Sequence, residues 1–287
     1  MDKKKKNVRG YQLRRVFSSL VILAGVLVLL YPTFSNVWNE YRNSLLRSDY
    51  SAAVENLNTE EYDEVLRLAR EYNDQHTVNT VEHVFEEDEN YLLSHPYDEL
   101  LNPSGNGIMG TLRIPKIYVN LPIYHGLGTQ ALEEGCGHVE GTSLPIGGTG
   151  THSALAAHRG LPTAKLFTDL DQIEIGDLFY ITVLDETLAY EVDQIEVVEP
   201  SEVELLAIDP EEDYVTLITC TPYGVNSHRL LIRGTRTEYI EEEAPQTSFV
   251  EEVIGANFYL RVLLIALLIL AAYMILSSLY RKKRGSE

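Results

Sequence analysis

A chain of 287 residues, 45% of them hydrophobic, can fill the core of one or two domains. A formal net charge of −20 excludes the basic surface that nucleic-acid binding needs. Two cysteines exclude a disulfide framework and leave room for a free thiol.

The charge is segregated. Seven of the 23 Lys and Arg lie in 1–15 and five in 261–284, while nearly all 43 acidic residues lie between them. Residues 1–15 form a basic tail. Residues 16–34 follow as an uncharged apolar stretch close to the minimum for crossing a bilayer. No small-x-small cleavage site follows Leu30, so this stretch is read as a retained span rather than a cleaved signal peptide. A second span is expected at 258–280, with Arg261 near its edge, followed by a basic tail at 281–287. The positive-inside rule then puts both termini in the cytoplasm and the acidic middle outside.

The middle opens as a helical leader over 35–75. Trp38, Tyr41, Leu45 and Leu46 recur at helix spacing, and a break is expected near 56–58. Asn58 with Glu61 predicts a capping box for a second helix. Residues 76–107 read most simply as a surface linker, though loops this long also serve as lids over active sites, with an acidic run at 86–89 and a turn-rich joint at 102–107. From 108 to 237, short apolar runs punctuated by Pro, Gly and Asp predict an antiparallel sandwich or barrel. Short helical inserts are expected at 164–170 and 201–206. An acidic stalk, 238–257, leads to the second span.

Cys220 ends the run Thr216-Leu217-Ile218-Thr219-Cys220, and Arg229 opens the next apolar run. A thiol at a strand end near a fixed positive charge suits covalent acyl chemistry. If the two strands pair with Cys220 opposite Arg229, alternation puts both side chains on one face and His228 on the other. A proton-transfer partner is sought among eight histidines. His76 and His83 fall in the leader region, and His125 and His138 lie among glycines, where solvent contact is the ordinary explanation. His152 and His158 remain. The acidic runs at 86–89 and 241–243 lack an alternating ligand pattern, so no metal and no cofactor is expected.

Residues 135–160, ending in His158-Arg159-Gly160, resemble the histidine region of sortases. Thr216 to Cys220 resembles the family's nucleophile signature, and Asn226-Ser227-His228-Arg229-Leu230 its arginine strand. The resemblance implies a mainly β fold, a sortase-type closed β-barrel over 108–237 with short helices, preceded by the helical segment and lid and flanked by two transmembrane helices. It selects His158 as the acid–base partner of Cys220, with Arg229 stabilising the oxyanion, and implies that Cys136, in a loop where the family has no catalytic cysteine, is structural. The rest of the architecture resembles class C sortases, which polymerise pilins. Their lids carry Asp-Pro-aromatic, and the corresponding stretch here is His95-Pro96-Tyr97, which puts Tyr97 over the cysteine. His95 stands where an acid is expected, with Asp98 as the alternative anchor.

The activity implied is a cysteine transpeptidase acting on a Leu-Pro-any-Thr-Gly-like sorting signal. It would cleave between Thr and Gly and pass the acyl group to a lysine of a pilin subunit. The alternatives are a wall-anchoring sortase with a cell-wall peptide as acceptor, and a non-catalytic, membrane-tethered binding module.

Overall fold

The protein, a computed structural model, is described over residues 2–75 and 96–240. His76, His83, His95, the acidic runs at 86–89 and 241–243, most of the expected stalk and the span expected at 258–280 lie outside the described residues. Residues 16–34 are helical, although most side chains from 16 to 29 also lie outside the description. Among the described residues, no helix is long and apolar enough to cross a membrane.

The chain divides into two compact units. The first, Met1–Val37 with Asn257–Glu287, is described only for its share of helix α1 (Asp2–Glu55). The second, Trp38–Ala256, contains the remainder of α1, helix α2 (Thr59–Gln75) and a β-barrel.

The break between the helices falls where the sequence places it. Asn58 Oδ1 accepts from the Glu61 amide at 3.0 Å, and Glu61 Oε2 accepts from the Asn58 amide at 3.1 Å. This reciprocal capping box satisfies two donors that a helix start leaves free.

Eight strands close the barrel. They are β1 (Ile108–Ile114), β2 (Val119–His125), β3 (Cys136–His138), β4 (Thr151–Ala156), β5 (Leu178–Val183), β6 (Glu186–Val198), β7 (Asp213–Thr221) and β8 (His228–Thr237). Their order round the barrel is β1-β2-β3-β4-β7-β8-β6-β5. Closure removes the unpaired edges that an open sheet would expose. Most neighbours are antiparallel, but β2 with β3 and β4 with β7 run parallel. A short helix α3 (Thr129–Glu134) joins β2 to β3. The helical insert expected at 164–170 is instead loop and turn ending in a 3₁₀ turn, Leu170–Gln172. At 201–206 the helical part shrinks to Glu204–Leu206.

Alternation sorts the strand residues into two apolar layers. Leu155, Leu217, Leu230 and Ile232 belong to the main core. Ala154, Ile218 and Leu231 belong to a smaller outer cluster with Val139, Val198 and Leu206.

The leader helices are fixed to the barrel by buried polar contacts. The Tyr50 hydroxyl, 2% exposed, donates to the Met109 carbonyl at 3.0 Å and accepts from the Leu184 amide at 2.8 Å. Asn73 pairs with both backbone groups of Leu144, at 2.7 and 3.2 Å. Tyr50→Phe leaves a buried carbonyl and a buried amide without a partner. It should lower unfolding stability by about 1–3 kcal/mol in denaturant titration. A loss below a few tenths would show that these contacts do not hold the leader.

Candidate active site

Three strands set the site. In the antiparallel β7–β8 ladder, Cys220 stands opposite Arg229 and Thr221 opposite His228. This is the pairing on which the shared face of Cys220 and Arg229 depends. Ile218 pairs with Leu231 two residues earlier, and both lie in the outer cluster. By alternation, Cys220 and Arg229 continue that outer row. His228, on the opposite parity, has its Nε2 3.1 Å from a Glu199 carboxylate oxygen.

The parallel β4–β7 ladder runs from Thr151 opposite Asp213 to Ala156 opposite Ile218. It is prolonged by the Ala157 amide donating to the Ile218 carbonyl at 3.1 Å. The Thr219 hydroxyl donates to the Ala157 carbonyl at 2.8 Å. Carried one residue further, the same register brings His158 level with Cys220. His158, Cys220 and Arg229 are each partly exposed, so a substrate can reach all three. Arg229 Nη1 donates to the carbonyl of His228 at 3.2 Å, which turns the guanidinium along the strand end.

The loop between β6 and β7 folds over this outer face. Leu206 is buried there and Val203 packs against it. His152 fastens the loop. Its Nδ1–H donates to the Ala207 carbonyl at 2.9 Å, and its Nε2 accepts from the Thr216 hydroxyl at 2.7 Å. A carbonyl can only accept, so these partners select the neutral tautomer. Burial is the main reason that the His152 pKa falls to about 4. His152 shares a parity with His158 on β4, yet it is spent on the loop.

Cys136 is wholly buried, with its S–H directed at the Pro122 carbonyl 3.6 Å away. Burial pushes its thiol far above the usual range, which suppresses the thiolate and fits the structural reading.

His125 and His138 are not solvated loop residues as expected. His138 is fully buried in β3; its Nε2–H donates to the Ser143 carbonyl at 2.9 Å, so its Nδ1 accepts from the Tyr97 hydroxyl at 2.8 Å. The Tyr97 oxygen in turn accepts from the Gly126 amide at 3.1 Å. His125 lies edge-on to the Tyr97 ring, with centroids 5.1 Å apart. The signal for this packing was the glycine content itself. A Cβ at Gly137 would stand 2.1 Å from the Gly126 carbonyl oxygen, so these glycines mark close backbone approach rather than solvent.

This network corrects the expected position of Tyr97. Its ring is 3% exposed and wedged between Tyr72 of α2 and the ends of β2 and β3. His138 pairs with Leu155, Leu155 with Leu217, and Cys220 lies three residues further along β7. The ring is therefore fixed to another part of the barrel and does not overlie Cys220. Pro96 opens the 3₁₀ turn Pro96–Glu99 that delivers Tyr97, and Asp98 sits in the same turn.

A cavity of about 530 Å³ lies at the far end of these strands, against Asp213 and Arg236. Asp213 is the first residue of β7, well away from Cys220.

One prediction concerns the loop clasp. The His152 pKa is lower in the folded than in the unfolded chain. Stability from this residue is therefore complete above about 6.5 and lost as pH falls towards about 4. The loss should approach 3 kcal/mol in denaturant titrations of the wild type, and His152→Gln should lack this share of the pH dependence.

Known proteins can now be set beside this geometry. The family model described as the Sortase domain matches residues 112–237. A solved sortase C1 of GBS pilus island 1 is 40% identical with a TM-score of 0.61, the match covering 72% of this chain and 98% of that one. Sortase C-1 from Streptococcus pneumoniae is 41% identical with a TM-score of 0.59, covering 68% and 100%. Sortase A from Streptococcus agalactiae is 33% identical over 118 residues, 40% of this chain. The chain thereby spans about half, 47%, of that curated relative's length. With the barrel, its order and nearly the full length of the solved sortase C chains matched, the chain belongs to the sortase family of cysteine transpeptidases, beside the class C sortases.

Proposed function

We propose that the chain is a membrane-anchored transpeptidase that cleaves a Leu-Pro-any-Thr-Gly-like signal between Thr and Gly and joins the new acyl end to a pilin lysine. The observation that carries this reading is the double register of β7, which puts Arg229 opposite Cys220 and brings His158 level with it. The apolar sequences at 16–34 and 258–280 and the basic tails beyond them support two spans with both termini cytoplasmic and the barrel facing the wall. The pilin acceptor is supported by the likeness to the sortase C1 of a pilus island.

In this reading the Cys220 thiolate attacks the threonine carbonyl carbon. Arg229 donates hydrogen bonds to the oxyanion that develops. The C–N bond to glycine breaks as His158 gives a proton to the departing amine, leaving a thioester on Cys220. The lysine amine then attacks the thioester and loses a proton to His158. The thiolate leaves, and an isopeptide bond joins the two subunits.

Intact mass spectrometry of the full-length chain with sorting-signal peptides tests the reading. An acyl adduct should form, disappear in Cys220→Ala and persist in Cys136→Ala. Arg229→Ala should slow its formation by about 10²–10³-fold, the effect of losing an oxyanion donor. Offered a pilin lysine and a cell-wall peptide amine together, the adduct should transfer to the lysine. Transfer to the wall peptide instead would identify a wall-anchoring enzyme, and absence of any adduct would leave only a binding module.

A further inference from the structure

The loop that carries His158 away from β4 contains a cation for which the proposed chemistry has no step. The Arg159 side chain is only 7% exposed. Its Nη1 donates to the hydroxyl of Thr221 at 3.2 Å, the residue directly after Cys220. Its Nη2 donates to the carboxylate of Asp171 further along the same loop. The guanidinium carbon stands 5.9 Å from the centre of the Tyr223 ring, within cation–π range. Gly160 makes room for that ring. Its φ is +79°, and a Cβ there would meet the Tyr223 ring at 2.9 Å.

Burying a guanidinium is unfavourable unless it is well paired. The Asp171 partner is half exposed, and an ion pair of that kind adds little stability. What a planar, forked cation does supply is direction, since it holds two partners in fixed geometry. Strand pairing between β4 and β7 ends at Ala156 and Ile218, two residues before His158 and Cys220. The Arg159–Thr221 bond is the next step of the same register, made by side chains where backbone pairing has stopped. His158 is thus bracketed by the Ala157 contacts on one side and the Arg159 clamp on the other. Its carbonyl is held as well, accepting from the Phe167 amide at 3.1 Å.

We propose that Arg159 is a positioning residue that keeps His158 level with Cys220, acting through the Thr221 hydroxyl and the Asp171 carboxylate. The inference rests on His158 and Cys220 being the reacting pair, so the test separates the two ideas.

The full-length chain is alkylated at Cys220 with iodoacetamide across a pH series, in wild type, Arg159→Gln, His158→Ala and the double variant, with thermal unfolding recorded for each. Arg159→Gln should move the midpoint of the alkylation profile by about half a pH unit or more towards that of His158→Ala, and should slow thioester formation roughly tenfold. In the His158→Ala background it should add no further shift, the non-additivity expected of residues acting as one unit. Arg159→Lys should recover only part of the rate, because an ammonium cannot span both partners. Thr221→Val and Asp171→Asn, each removing one arm, should move the midpoint in the same direction and serve if Arg159→Gln does not fold. If His158→Ala itself leaves the profile unchanged, the reacting-pair reading fails and the inference with it. If His158→Ala shifts the profile but Arg159→Gln does not, or shifts it equally in both backgrounds, the pair stands and the clamp is overturned.

Discussion

A one-residue slip of β7 against either neighbour would turn the Cys220 side chain into the barrel interior, because strand side chains alternate with a period of two. The whole site depends on this register. It is held on one side by the antiparallel ladder with β8 and on the other by the parallel ladder with β4. Leu217 and Ile232, opposite one another in the main core, and Ile218 and Leu231, opposite one another in the outer cluster, make any slip costly on both faces at once. The register that stabilises the barrel is thereby the register that sets Arg229 opposite Cys220.

The local part of this arrangement was legible in the sequence. The apolar runs ending at Cys220 and beginning at Arg229, separated by a short polar turn, predict a hairpin with the two residues available to one another. The capping box at Asn58 and Glu61 is legible for the same reason, since its partners are three residues apart. The non-local part was not. Pattern alone pointed to His158 at a strand terminus without excluding His152, for the two share a parity on β4 and its continuation. The environment separates them: the β6–β7 loop covers His152 and engages both its nitrogens, while His158 stays at the open strand end. No spacing rule in β4 announces a loop that arrives some 50 residues later in the chain.

Tyr97 shows the same limit. The resemblance to class C sortases implied a lid at Pro96-Tyr97, but what the ring touches is decided by Tyr72, Gly126 and His138, which local sequence cannot bring together. Its hydroxyl is satisfied on both sides in a fully buried setting, so the hydrogen bonds fix the segment that enters β1. His125 and His138, which pattern assigned to solvent, complete that fixture. His138 and His152 thus brace strands and loops from buried positions, while His158 stays partly exposed where the β4 register runs on level with Cys220.

Cys220 lies on the outside of a closed barrel, and this has a consequence for how the enzyme can change. Residues that fill the interior of β4, β7 and β8 alternate with those on the outer face, so the two sets occupy different positions of the same strands. The outward residues Ala154, Ile218 and Leu231 are themselves buried with Leu206 of the β6–β7 loop, so free exchange near the thiol is confined to exposed loop positions such as Glu202 and Leu205. The surroundings of Cys220 can therefore vary at those loop positions while both apolar layers of the barrel stay packed.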